Sequence, residues 1–248
     1  MSRGVADIAP ARLALLNGGS VASATLTEGL AIDFTELLAA AVPGIGGARL
    51  DRMRAQATAG ITKRMALAAQ LLLEAGADPA VLQAHPSDTV RGWVCFVIAA
   101  QAGLSLPQRL AAMRPLADDG HFGVREWAWL ALRPRLAAQL DEAITLLAPW
   151  TADPSERVRR FACEALRPRG VWCAHIAQLK ERPQLALPLL QPLRADPAVY
   201  VQDSVANWLN DAAKSQPDWV RSLCAQWRLE SPVAATQRIC KRALRSIS

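Results

Sequence analysis

Residues 124–135 read VREWAWLALRPR and residues 158–169 read VRRFACEALRPR, identical at eight of twelve positions and offset by 34 residues. The pattern extends outward in both directions. VRGW begins at Val90, a further 34 residues upstream, and a weaker copy, VQDSVANWLND, begins at Val201, with RICKRALRSI near the C-terminus as a degenerate end. Each copy follows a turn signal: HPSD at 85–88, DDG at 118–120, and ADP at 152–154 and 195–197. Turn-forming residues at a fixed offset before a recurring motif mark an array of like units.

Within each copy the apolar residues recur at helical spacing. Val124, Trp127, Ala128 and Ala131 share one face, as do Val158, Phe161, Ala162 and Ala165, and Val201, Val205, Trp208 and Leu209. Second helices are expected between the copies, in AAQLDEAITLLAPW and PQLALPLLQPL. Before residue 90, LAIDFTELLAAAV and RMRAQATAGITKRMALAAQLLLEAG also read as helices, and PGIGGARLDR reads as a loop. WVCFVIAA occupies the helical slot of its repeat despite its β-formers. The expected fold is all-α, an α-solenoid of helical repeats in a single domain over 1–248, with N-terminal helices in 1–85 and the clear repeats in 86–248.

Composition narrows the function classes. With 52% hydrophobic residues the chain can bury a continuous core. No apolar run is long enough to span a membrane, and MSRGVADIAPARL lacks the features of a signal peptide, so a cytoplasmic location is expected; the chain is also expected to be a monomer. Five cysteines without a CxxC and three scattered histidines give neither a disulfide framework nor a zinc motif, and no metal site is expected.

The net charge of +6 is unevenly spread. Residues 1–120 carry ten basic and ten acidic groups, whereas 121–248 carry eighteen and twelve. An anionic partner would therefore meet the later repeats. All eight tryptophans also lie after residue 92. Trp127 and Trp208 fit a core position; Trp129 and Trp172 fall off the apolar face or beyond its helix and are expected at a surface. Exposed aromatics among arginines suit nucleic-acid binding, with rings against bases and guanidinium groups on phosphates.

Glu164 is a single carboxylate near the end of its predicted helix, among Arg157, Arg159, Arg160, Arg167 and Arg169. A negative charge there opposes the helix dipole. Helical geometry turns Arg159, Arg160 and Arg167 away from the apolar face. Pairing of Glu164 with Arg160 and Arg167, at i−4 and i+3, is one sufficient reason for its presence. A role in chemistry is the other.

The stretch from Trp150 to Asp211, above all SVANWLND and VRRFACEALRPRGVW, resembles the AlkC branch of the AlkC/AlkD superfamily of bacterial DNA alkylation-repair glycosylases. The resemblance is close over about a quarter of the chain. It implies a HEAT-like solenoid that grips alkylated double-stranded DNA on its concave face and excises N3- or N7-alkylated purines without a cofactor. The two functional glutamates it implies are Glu164 and, in the context REWA, Glu126. Arg159, Arg160, Arg167 and Arg169 would then hold phosphates, with Trp129 and Trp172 near the base. A binder of DNA without excision activity and a protein–protein scaffold remain the alternatives, because fold does not fix function.

Overall fold

The computed structural model describes Gly4 and residues 7–247. Among these residues the secondary structure is helical, with no strand. In chain order the first helices are α1 (Pro10–Asn17), α2 (Leu26–Ala31), α3 (Phe34–Ala41), α4 (Gly47–Arg54), α5 (Ile61–Ala75), α6 (Pro79–Gln83), α7 (Asp88–Ala100) and α8 (Leu106–Ala117). Then come α9 (Phe122–Ala138), α10 (Leu140–Leu147), α11 (Glu156–Glu164), α12 (Ala177–Glu181), α13 (Leu187–Leu190), α14 (Val199–Ala213), α15 (Pro217–Glu230) and α16 (Ala234–Ala243). Two compact units result, Met1–Ala131 and Leu132–Ser248, whose boundary falls within α9.

In the first unit, Trp93 and Phe34 meet edge to face at 5.4 Å, beneath fully buried Val90 and Val94. Gly92 is obligatory beside them, since a Cβ there would stand 2.6 Å from Trp127 Cδ1. Local capping fixes the ends: Asp33 accepts from Thr35 and Glu36 at the start of α3, and Ser105 with Gln108 forms a reciprocal capping box on α8. The predicted helix LAIDFTELLAAAV is thus cut in two, because Asp33 caps a new start after Ile32. RMRAQATAGITKRMALAAQLLLEAG is likewise interrupted before Gly60, and PGIGGARLDR is a loop only up to Gly46.

The second unit is built on α11, α14 and α16. Val158, Phe161, Ala162 and Ala165 are buried as the periodicity requires, and Trp208 and Trp227 are the largest fully buried side chains of this unit. PQLALPLLQPL does not form the continuous helix expected of it. Its prolines remove amide donors and restrict the preceding residues, leaving a 3-10 turn at Pro183–Ala186 and the single turn of α13.

One contact explains the repeating VR. Arg91 Nη1 donates to the carbonyls of His85 and Pro86 at 2.8 and 3.0 Å. Arg125 does the same to Asp119 and Gly120, at 2.8 and 3.0 Å, and Arg159 to Asp153 and Pro154, at 2.9 and 3.0 Å. In the fourth copy the Gln202 amide takes the place of the guanidinium, reaching Asp196 and Pro197 at 2.8 and 3.4 Å. The side chain after each repeat valine therefore satisfies carbonyls of the preceding turn that the helix leaves without amide partners. Arg91 and Arg159 also clasp the carboxylate of the next turn with two bonds each, on Asp119 and Asp196.

The twin LRPR sequences end differently. In the second copy the helix runs through Pro134, because Leu136 supplies the next buried position after Leu132. In the third copy Gly170 stands where Leu136 does, no apolar side chain continues the pattern, and the helix stops at Glu164. Pro168 would otherwise press its ring on the Glu164 carbonyl four residues back.

Candidate active site

Glu164 closes α11 and is only 4% exposed. Its Oε1 accepts from Arg167 Nη1 at 2.8 Å and its Oε2 from the Ser204 hydroxyl at 2.5 Å. Arg160 Nη2 lies 3.7 Å from Oε2, with its guanidinium over the Tyr200 ring at 4.8 Å. Burial acts to raise the carboxyl's pKa, but Arg160, then Arg167, and the hydrogen bonds from Ser204 and Arg167 outweigh it. The group is held below the usual range and is ionised at neutral pH.

Arg167 bridges two carboxylates. Its Nε and Nη2 donate to Asp211 Oδ2 at 2.9 and 2.7 Å, while Lys214 Nζ stands 3.5 Å from Oδ1. Burial works to lower the Arg167 pKa, yet Glu164 and Asp211 together raise it. A buried charge pair of this kind is costly to break on one side.

The polar positions of SVANWLND surround this network. Ser204 holds Glu164, Asp211 holds Arg167, and Trp208 Nε1 donates to the Leu166 carbonyl at 2.9 Å. Asn210 Nδ2 reaches the Ala243 carbonyl at 3.0 Å and Ser246 Oγ at 2.9 Å, tying α14 to the turn after α16. Val205, Ala206 and Leu209 pack beneath.

After Glu164 the chain makes a loop, 165–176, closed by a bond from the Ile176 amide to the Pro168 carbonyl at 3.1 Å. Arg133, 2% exposed, fills it. Its Nη1 donates to Ala165 O at 2.9 Å, its Nη2 to Arg167 O at 2.5 Å and Ala174 O at 3.2 Å, and its Nε to Ala174 O at 3.3 Å. Gly170 lets the loop close, since a Cβ there would lie 2.4 Å from Cys173 Sγ. Trp172 sits on the rim, 55% exposed, with φ at 59°. It is the one non-glycine residue in the left-handed region among the described residues, a conformation that bulky side chains adopt only when their surroundings impose it.

The expected residues sort as follows. Glu164, Arg160 and Arg167 are brought together, and Arg169 and Trp172 belong to the adjoining loop, Arg169 Nη2 donating to Ser215 Oγ at 2.8 Å. Arg159 is directed into the turn contacts described above, its side chain saturated by Asp196 and two carbonyls. Arg160 and Arg167 are likewise directed inward, onto Glu164, rather than outward as helical geometry alone suggests. Trp129 is not at the surface: it is 5% exposed, and its Nε1 donates to Glu126 Oε2 at 2.8 Å. Those two residues belong to the first unit. Ser204, Asp211 and Arg133 were not singled out from the sequence. The motif SVANWLND contained the signal for the first two; nothing distinguished Arg133 from its repeat partner Arg167.

Four cysteines are buried and Cys173 is half-buried. Among the described residues no cluster of His, Cys, Asp and Glu is arranged to hold a metal ion, and no helix is long and apolar enough to cross a membrane.

A model of HEAT repeats matches residues 79–167. The uncharacterized protein YhaZ of Bacillus subtilis (strain 168) is 40% identical over 76 residues, which make up 31% of this chain and 21% of YhaZ. The Pseudomonas fluorescens alkylpurine DNA glycosylase AlkC, solved bound to DNA containing an abasic site analog, matches with a TM-score of 0.69 at 28% identity, over 86% of this chain and 60% of AlkC. AlkD2 from Streptococcus mutans matches with a TM-score of 0.57 at 23% identity, over 81% of this chain and 89% of AlkD2. The chain thus spans less than two thirds of AlkC and about a fifth of YhaZ. Its described residues are all-α, with HEAT repeats recognised over residues 79–167. Within the all-α class it has the HEAT-like fold of the AlkC/AlkD superfamily.

Proposed function

We propose that this chain is a monofunctional DNA glycosylase that removes N3- or N7-alkylated purines from double-stranded DNA, acting as a cytoplasmic monomer. The observation that carries the reading is Glu164, a carboxylate ionised while buried, at the base of a loop whose rim holds a strained, exposed tryptophan. AlkC, alike at 28% identity and bound to DNA containing an abasic site analog, supports the substrate class.

The geometry favours one kind of chemistry for Glu164. An alkylated purine is a cationic leaving group, and its departure builds positive charge on the sugar. A carboxylate with a lowered proton affinity is a weak general base but a good electrostatic partner for that charge. Arg167 and Ser204 each occupy one acceptor position, and an ionised carboxylate has about four, so the remainder can orient water or face the sugar. The Trp172 face would attract a cationic base.

The test is release of 3-methyladenine and 7-methylguanine from methylated duplex DNA, measured by mass spectrometry for the protein and for Glu164→Gln. Release that is lost in the variant is the expected result. Equal release by both removes Glu164 from the reaction; no release by either, with DNA binding kept, favours a second reading. In that reading the Glu164–Arg167–Asp211 chain only fastens α11 to α14, and its low exposure is the observation in favour.

A further inference from the structure

With Arg159, Arg160 and Arg167 turned inward, one group of basic side chains in the second unit that lies close together is on α16 and the turn that follows it, Arg238, Lys241, Arg242 and Arg245. Asp203 of α14 faces two arginines at once. Its Oδ1 accepts from Arg238 Nη2 at 2.7 Å and lies 3.1 Å from Arg242 Nε. Arg245 completes the group. Its Nη2 donates to Asn207 Oδ1 at 3.0 Å and its Nη1 to the Arg242 carbonyl at 2.7 Å, and among the described residues no carboxylate is within ion-pair distance of it. Two guanidinium groups therefore share one carboxylate, the third is held only by an amide oxygen and a carbonyl, and Lys241 on the same helix is exposed.

This is the reverse of the ladder arginines, where Arg91 and Arg159 each have a two-bond carboxylate of their own. Arg245 is pushed below its ordinary range by burial and then by Arg242 and Arg167, with Asp211 and Asp203 opposing. An excess of cations crowded onto a surface is relieved by an anion from outside. Guanidinium forks match phosphate oxygens in geometry, and the Asn207 amide, with its oxygen already given to Arg245, keeps its NH2 donors for the same ligand.

We propose that Arg242, Arg245 and Asn207, with Arg238 behind them, form a binding face for phosphodiester groups of double-stranded DNA. The proposal rests on the DNA-directed reading above and moves the phosphate contacts from α11 to the α14–α16 face. Asp203 adjoins Ser204 on α14, so a strand held here is tied through one helix to the residue that orients Glu164.

The experiment is fluorescence anisotropy of a labelled duplex containing an abasic-site analogue, with affinity measured over a range of salt concentrations. Three variants accompany the protein: Arg242→Gln/Arg245→Gln, Asn207→Asp and, as a control, Arg54→Gln on the exposed pair with Asp51. Each phosphate contact contributes about 0.9 to the slope of log K against log salt. The double variant is expected to lose about 1.8 of that slope and Asn207→Asp about 0.9, with the control unchanged. Asn207→Asp removes no arginine and offers Arg245 a carboxylate, so it decides the matter if the double variant fails to fold. Slopes equal to that of the unaltered protein in Asn207→Asp, or in a folded double variant, overturn the proposed face. Absence of salt-dependent binding by the unaltered protein overturns the DNA-directed reading itself, and this face with it.

Discussion

The Ser204 hydroxyl donates to Glu164 Oε2 at 2.5 Å across forty positions of sequence, joining the end of α11 to the middle of α14. Ser204→Ala would leave one oxygen of a buried anion without its donor. Hydrogen bonds to charged groups contribute about 1.5–3 kcal/mol. Urea unfolding at neutral pH should show a loss of that size, with Ser204→Thr recovering part of it. An unchanged midpoint would mean that the hydroxyl does not support the carboxylate.

Acid should erase the Glu164 contribution in a defined direction. Its folded pKa lies below the ordinary value, so its stabilisation is fully present above the unfolded carboxyl's pKa, near 4.3, and is lost as pH falls through the lower folded value. The stability difference between the protein and Glu164→Gln should therefore be constant across neutral pH and shrink below about pH 4. Chemical denaturation of both proteins along a pH series measures it. A difference that grows in acid would contradict the assigned direction.

Trp172 should be replaceable without harm to the fold. Asparagine tolerates the left-handed region better than tryptophan, and relief of such strain is of order 1 kcal/mol. Trp172→Asn is expected to melt at the same temperature as the unaltered protein or a few degrees higher, while its affinity for an abasic-site duplex falls. Scanning calorimetry and anisotropy separate the two effects. Lower stability with undiminished affinity would make Trp172 a packing residue.

Arg159→Ala should act in the opposite sense. The substitution strands Asp196, which is buried, and two turn carbonyls, a loss of about 3–5 kcal/mol for a broken buried pair. DNA affinity measured below the melting transition should keep its salt slope. A reduced slope without loss of stability would return Arg159 to the phosphate contacts.

The helical repeats were legible because their signal is local: a valine at a fixed offset from a turn, followed by apolar residues at helical spacing. SVANWLND supplies Ser204 and Asp211 to the network around Glu164. Its meaning was hidden, since which oxygen Ser204 and Asp211 meet depends on how α14 packs against α11. Arginine was the chief source of error. Helical phase placed Arg159, Arg160 and Arg167 outward, but a long side chain can bend back onto carbonyls and carboxylates, and each of these does. Trp129 misled for a related reason, because Glu126 gives its indole nitrogen a partner and allows the ring to be buried off the main apolar face. The unlike ends of the twin LRPR motifs turned on Leu136 against Gly170, one residue beyond the matching text.

The bond from each repeat's second residue to the carbonyls five and six positions earlier acts as a gauge of turn length. A residue inserted between turn and helix would carry the carbonyls out of its reach, so the joints between repeats resist change in length. The spans between joints are under no such restraint. From Val158 to Val201 the step is 43 residues rather than 34, and the added length lies beyond α11, in the stretch that includes the Trp172 loop and the broken second helix. Fixed joints with elastic spans let natural variation remodel the rim of one repeat while the stacking of its neighbours stays in register.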